Sequence, residues 1–210
     1  MAQRDVLENS INLLNTLRGP AKIFYATQNA AMPSNLEQAI NATTGAPVAP
    51  WVAFGLTRGG INVSKTLDVT VRDDVDQIIG AYGQDITDRY YTLTTQLAEV
   101  LSRTQLKESL DLGVETVVVA TTSLPTQIMV PLDDGDNVFT DRRWMVVYPK
   151  GTTGKLYAFV FRRGQVSGGE RTMRFDKTDP VSPALEIRMF PEIATTIPAA
   201  DAYGRTYTQD

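Results

Sequence analysis

INVSKTLDVTV, residues 61–71, decides the fold class. Ile61, Val63, Leu67, Val69 and Val71 alternate with Asn62, Ser64, Thr66, Asp68 and Thr70, and only Lys65 interrupts the apolar series. A period of two belongs to a strand with one face covered and the other wet; a helix would bring every third or fourth residue to one side. A second run repeats the pattern, with Tyr91, Leu93 and Leu97 on one face and Tyr90, Thr92, Thr94 and Gln96 on the other. Ile61, Val63, Leu67, Val69, Leu93 and Leu97 are therefore expected to face a core. Strands this polar on one side need water or a polar partner there.

Outward from this pair, the chain continues in the same style. Residues 21–27, AKIFYAT, form a short β-rich run. Residues 29–50 read as an extended surface connection with a brief helix at 34–40, and residues 72–86 as a long acidic loop. Both exceed the usual connection length of about four to six residues. Leu7, Ile11 and Leu14 are helically spaced in the segment 5–18, which Gly19-Pro20 stops. Ser102 is a suitable N-cap for a short helix that Gly113 closes. Beyond it VETVVVATT (114–122), RRWMVVYP (142–149), KLYAFVFRR (155–163), RTMRFD (171–176) and ALEIRMFPE (184–192) all read as strands. The second and third of these predict a hairpin across the GTTG turn. The tail after Pro191 reads as irregular peptide. The expected organisation is an arm (1–20), one β domain (21–192) and a C-terminal extension (193–210). About seven or eight mostly antiparallel strands predict a mainly β sandwich or barrel.

Composition narrows the chemistry. The 210 residues include no Cys and no His, with 20 Lys+Arg against 24 Asp+Glu for a net charge of −4. Disulfides, thiolate metal sites, cysteine nucleophiles and the Ser-His-Asp arrangement are absent as a result. A mildly acidic chain lacks the clustered cations that grip phosphate. No apolar run of transmembrane length occurs, and MAQRDVLENS carries charge where a secretory core would begin, so folding in a cytoplasm is expected.

Three motifs invite a chemical reading. GTTGK (151–155) lacks the earlier Gly of a phosphate loop, is followed by Leu156, and connects strands, so a hairpin turn fits it. Asp133, Asp134 and Asp136 suggest a calcium loop, but Val138 and Phe139 stand where an oxygen ligand and a glycine belong. Asp73, Asp74, Asp76, Asp85 and Asp88 offer paired carboxylates; a hydrolase would need two of them about 5–10 Å apart in a cleft. Neither a catalytic residue nor a cofactor or metal site is expected.

The order of segments resembles the major tail tube protein of long-tailed, non-contractile bacteriophages. PWVAFGLTRGGINV (50–63) matches a Trp followed by a Gly-X-Thr-X-Gly-Gly lead into a strand. DDVDQIIGAYG (73–83) is similar to the Asp-Gln-X-X-Gly segment of the family's long loop, and YYTLTTQLAEVL (90–101) to the strand running into Leu-Ala-Glu before its helix. The hairpin and closing strands follow in the family's order. The likeness spans about 21–192; the segment 5–18 has no place in the family pattern.

The resemblance implies a β-sandwich with one flanking α-helix, assembled as hexameric rings that stack into a hollow tube. Subunits would share a ring-forming β-barrel, polymerise around a tape measure protein between distal tail and terminator proteins, and let DNA pass without specific binding. In that arrangement Asn62, Ser64, Thr66, Asp68, Thr70, Thr92, Thr94 and Gln96 face an acidic lumen. Asp73, Asp74, Asp76 and Asp85 would then bridge to the neighbouring ring, against Arg142, Arg143, Arg162 or Arg163. The implied location is the virion tail. The alternatives are a tail terminator or head decoration protein and, from another class, the carboxylate hydrolase.

Overall fold

The computed structural model describes residues 21–41, 45–55, 57–72, 83–97, 116–121, 125–131, 140–150, 155–167 and 184–209. These form ten strands: β1 (Lys22–Thr27), β2 (Val52–Gly55), β3 (Thr57–Arg72), β4 (Gly83–Leu97), β5 (Thr116–Val118), β6 (Gln127–Met129), β7 (Arg142–Lys150), β8 (Lys155–Ser167), β9 (Ala184–Phe190) and β10 (Gly204–Thr208). The protein is mainly β, and every ladder is antiparallel. The main sheet runs β2-β1-β7-β8-β9-β4-β3, with β10 added to β8; β5 and β6 pair separately. The expected helices at 5–18 and 103–112, and the predicted strand at 171–176, lie outside the described residues.

Strand β8 organises the sheet. Along one side it pairs with β7, from Arg142↔Gly164 to Lys150↔Lys155, which is the hairpin expected across the GTTG turn. Its other side is divided. Residues 157–161 pair with β10 and residues 163–167 with β9. The tail after Pro191 is therefore not irregular throughout. A 3-10 turn (Ala199–Asp201) leads into a strand of only five residues, too short for its alternation to stand out in the sequence.

Burial differs along the sheet. In β1 and β7 consecutive residues are buried, Ile23 to Ala26 and Arg143 to Val147, because apolar groups cover both faces. On one face Ile23, Tyr25, Phe54, Trp144, Val146, Phe161, Leu93, Leu97, Ile187 and Met189 share a single core. Tyr25, Phe54 and Trp144 meet there at ring distances of 5.4–5.9 Å, and the Trp144 indole donates to Gly164 O at 3.1 Å. On the other face Phe24, Met145, Val147, Ala158 and Val160 pack against Ala30, Leu36, Ala39, Ile40 and Trp51. Residues 30–40 of the stretch 29–50 thus cover the sheet, while 45–50 run along the surface. The helix of this stretch is one 3-10 turn, Leu36–Gln38, capped by the Asn35 side chain accepting from the Gln38 N–H. Apolar residues without a regular period gave no signal of this role.

Beyond β8 only one face is covered. Leu185, Ile187 and Met189 of β9 are buried and alternate with exposed Ala184 and Glu186 and half-buried Arg188 and Phe190. Leu93 and Leu97 are buried as expected, and Thr95 between them satisfies its hydroxyl on Gly60 O at 2.7 Å. The Gly59-Gly60 pair sits in a break of the β3–β4 register, at φ of 77° and 92°. Nothing approaches either position within 4 Å, so glycine is required for its backbone conformation and not for space. This is the physical content of the Gly-Gly lead into the strand.

Candidate functional site: a protruding two-faced ribbon

Strand β4 has 15 residues, but β9 covers only Tyr91 to Gln96. Residues 83–90 continue past the end of β9, paired with β3 alone from Thr66↔Tyr90 to Arg72↔Gly83. The alternating sequence that marks the fold therefore builds a two-stranded ribbon that leaves the sheet. Among the described residues no strand pairs with the outer edge of β3.

Register assigns each residue to a face. Asn62 lies opposite Thr94, Ser64 opposite Thr92, Thr66 opposite Tyr90, Asp68 opposite Asp88 and Thr70 opposite Asp85. Residues directly opposite one another project to the same side. All eight residues assigned to a lumen thus share one face of the ribbon, Gln96 following Thr92 and Thr94 along β4. Two neighbours from β9 join them: Arg188 lies opposite Thr92 and Glu186 opposite Thr94. Arg188 stacks its guanidinium over the Tyr90 ring at 4.1 Å. The alternation in ALEIRMF carried that signal, and reading β9 only as a closing strand passed over it.

The other face is mainly aliphatic, interrupted by Lys65, by Arg89 opposite Leu67 and by Gln84 opposite Val71. Ile61 and Val63 pack against the core as expected. Leu67, Val69, Val71 and Ile86 remain 43%, 48%, 43% and 59% exposed. The expectation that Leu67 and Val69 face the core of their own chain is corrected here. They lie on the core-facing side of β3 but beyond the last strand that covers it. A bulge at Thr87 explains Ile86: the register steps from Asp68↔Asp88 to Val69↔Ile86, so Ile86 joins Val69 on the apolar face and Asp85 moves to the polar one. The Thr87 hydroxyl donates to Asp68 O at 3.1 Å across this bulge.

The polar face of the ribbon is acidic. Asp68, Asp85 and Asp88, with Glu186 of β9, stand against Arg188 and against Arg72, which forms an ion pair and hydrogen bonds with Asp85. Asp85 was expected in a loop bridging to another ring. It lies instead on β4, tied to its own hairpin, and the connection is shortened to residues 73–82. Asp73, Asp74 and Asp76 fall outside the described residues, as do Asp133, Asp134 and Asp136. Asp85 and Asp88 sit on an open strand rather than in a cleft.

Two of the four arginines expected to meet the acidic loop are inside the fold. Arg143 and Arg162 are buried on either side of Glu192, at 3.7 and 3.5 Å from its Oε2. Arg143 Nε donates to Gln28 O at 2.9 Å, and Arg162 Nε to Asp201 O at 2.8 Å. Burial lowers the Arg143 pKa, opposed by the Glu192 charge. Arg163 pairs with Asp141 at 3.0 Å, and Arg142 lies 5.2 Å from the Tyr25 ring centre.

No family model matches this chain, and no curated protein matches it. No helix among the described residues is long and apolar enough to cross a membrane.

Proposed function

We propose that this chain is the tail tube subunit of a long-tailed, non-contractile phage, joining in hexameric rings that stack into a hollow conduit for DNA. The observation that carries the reading is the ribbon itself. A two-stranded ribbon is marginal in water, and this one leaves four aliphatic side chains exposed on one face. Burying the remaining exposed part of each would contribute on the order of 1 kcal/mol. A barrel shared between copies would cover that face and pair the outer edge of β3, which otherwise invites uncontrolled association.

The opposite face suits a lumen. Asn62, Ser64, Thr66, Thr70, Thr92, Thr94 and Gln96 are neutral, while Asp68, Asp85, Asp88 and Glu186 outnumber Arg72 and Arg188. A wall of this character repels phosphate and lets DNA slide. In this reading Asp73, Asp74 and Asp76 reach the next ring, the tube grows around a tape measure protein, and distal tail and terminator proteins bound its ends.

Negative-stain electron microscopy of the purified protein tests the proposal. Uniform stacked rings with a central hole are expected. A single ring that never stacks would instead indicate a terminator, and a persistent monomer would overturn the assembly reading.

A further inference from the structure

Resting on that assembly, the geometry points to a specific partner edge for the ribbon: we propose that the outer edge of β3 in one copy pairs with the outer edge of β10 in the next. Gly164 of β8 is in register with Met189 of β9, and Met189 with Tyr91 of β4. Residues 83–90 of β4 therefore run level with the part of β8 that carries β10. In a regular sheet β4 would lie against β10 there. The two make no ladder among the described residues. The fork between them is a groove lined by Tyr91, Phe159, Phe161, Tyr203, Gly204 and Thr206. Among the described residues no strand pairs with this edge of β10, and the ribbon on another copy has the length and pattern to occupy it.

The backbone of β10 is arranged to receive a strand. Arg162 N–H donates to Tyr203 O, and Gln209 N–H to Leu156 O, both at 3.0 Å. Antiparallel ladders alternate inward and outward groups, so the odd-numbered residues of this segment bond to β8. Gly204, Thr206 and Thr208 then turn their N–H and C=O groups outward. Thr206 lies opposite Phe159, on the sheet face that also carries Phe161 and the core. Leu67, Val69 and Val71 continue that same face on β3, so joining the edges lays aliphatic side chains beside the aromatic floor of the groove. Donor and acceptor edges differ, which makes the contact heterologous, and a heterologous contact propagates from copy to copy, closing a ring where the rotation between copies allows.

Thr206→Pro removes one outward N–H and leaves the β8 ladder intact, as proline on an edge strand permits. The full-length variant is expected to keep the wild-type circular dichroism spectrum and thermal midpoint while its critical concentration for assembly rises at least tenfold. A second variant reads the contact directly. The chain has no cysteine, so Thr206→Cys combined with Val69→Cys is expected to give a ladder of inter-chain disulfides on oxidation, ending at the ring size. Wild-type rings with unchanged Thr206→Pro assembly, or no inter-chain crosslink in assembled material, would overturn this pairing and leave the tube reading standing. Should Thr206→Pro fail to fold, the crosslink alone decides. A wild-type protein that remains monomeric at every concentration would overturn both.

Discussion

The middle of the sheet and its ribbon use the same residue types to opposite ends. In β1 and β7 aliphatic and aromatic side chains are covered on both faces, by the shared core on one side and residues 30–40 with Trp51 on the other. In the ribbon Val69 and Ile86 are comparably apolar and remain about half exposed. Alternation fixes which side chains share a face; it does not fix whether the same chain supplies the cover. A strand with a regular polar and apolar face is thus equally suited to a solvated sheet edge and to an interface, and the exposed aliphatic row separates the two.

The sharpest way to break this comparison is to truncate one residue from each region. Trp144→Ala should cost about 3–5 kcal/mol in denaturant unfolding, the loss expected for a fully buried aromatic. Val69→Asp should change the stability of the isolated chain by less than about 0.5 kcal/mol, as surface substitutions do, yet abolish ring formation. A Val69→Asp protein that unfolds as readily as Trp144→Ala would show the ribbon to be covered within its own chain.

Glu192→Gln comes next. It leaves Arg143 and Arg162 buried and facing each other without their shared carboxylate. About 3 kcal/mol of destabilisation is expected from losing one member of a buried charge group. Asp85→Asn in the exposed Arg72 pair is the matched control on the ribbon, and it should cost about 0–1 kcal/mol. Equal effects from the two would contradict the difference in burial.

Gly204→Ala probes the edge between these regions. Gly204 has φ of 135°, and a Cβ there would collide with the Val160 carbonyl. Strain of about 1–3 kcal/mol should loosen β10. Hydrogen exchange at Arg162, whose N–H donates to Tyr203 O, should accelerate while amides within β1 and β7 stay protected. Unchanged Arg162 protection would mean that β10 can shift its backbone without detaching.

What could be read from the chain before its structure follows the same division. Period-two runs in β3, β4 and the β7–β8 hairpin were legible because each is long and its faces differ in polarity. The grouping of Asn62, Ser64, Thr66, Asp68 and Thr70 with Thr92, Thr94 and Gln96 followed from two such patterns placed side by side. Ile86 and Asp85 were not legible, since one extra residue at Thr87 reverses the faces of everything on its N-terminal side, and a bulge has no composition of its own. The cover formed by residues 30–40 and Trp51 was missed for the opposite reason: Ala30, Leu36, Ala39 and Ile40 are apolar without period. Nothing in a strand's own sequence reports where its neighbour ends, so the point at which β9 stops and the ribbon begins required the fold.

The smallest expected effect lies in the acid limb of stability. Arg205 hydrogen-bonds the Asp201 carboxylate and holds its pKa below the ordinary aspartate value. A carboxyl lowered on folding binds fewer protons in the folded state than in the unfolded one. Its contribution is fully present above the unfolded aspartate pKa of about 3.9 and is lost as pH falls through the lowered folded value. The Asp201–Arg205 pair is partly open to solvent, so the effect should be slight and salt-sensitive. Asp201→Asn should lower the thermal midpoint slightly and by a constant amount above about pH 5, and this deficit should vanish as pH falls from about 4 to 2. Because Asp201 O also accepts from buried Arg162, retention of that backbone contact in the variant should keep β10 in place. A variant that instead lost stability equally at every pH would show that Asp201 secures the tail through packing rather than through its charge.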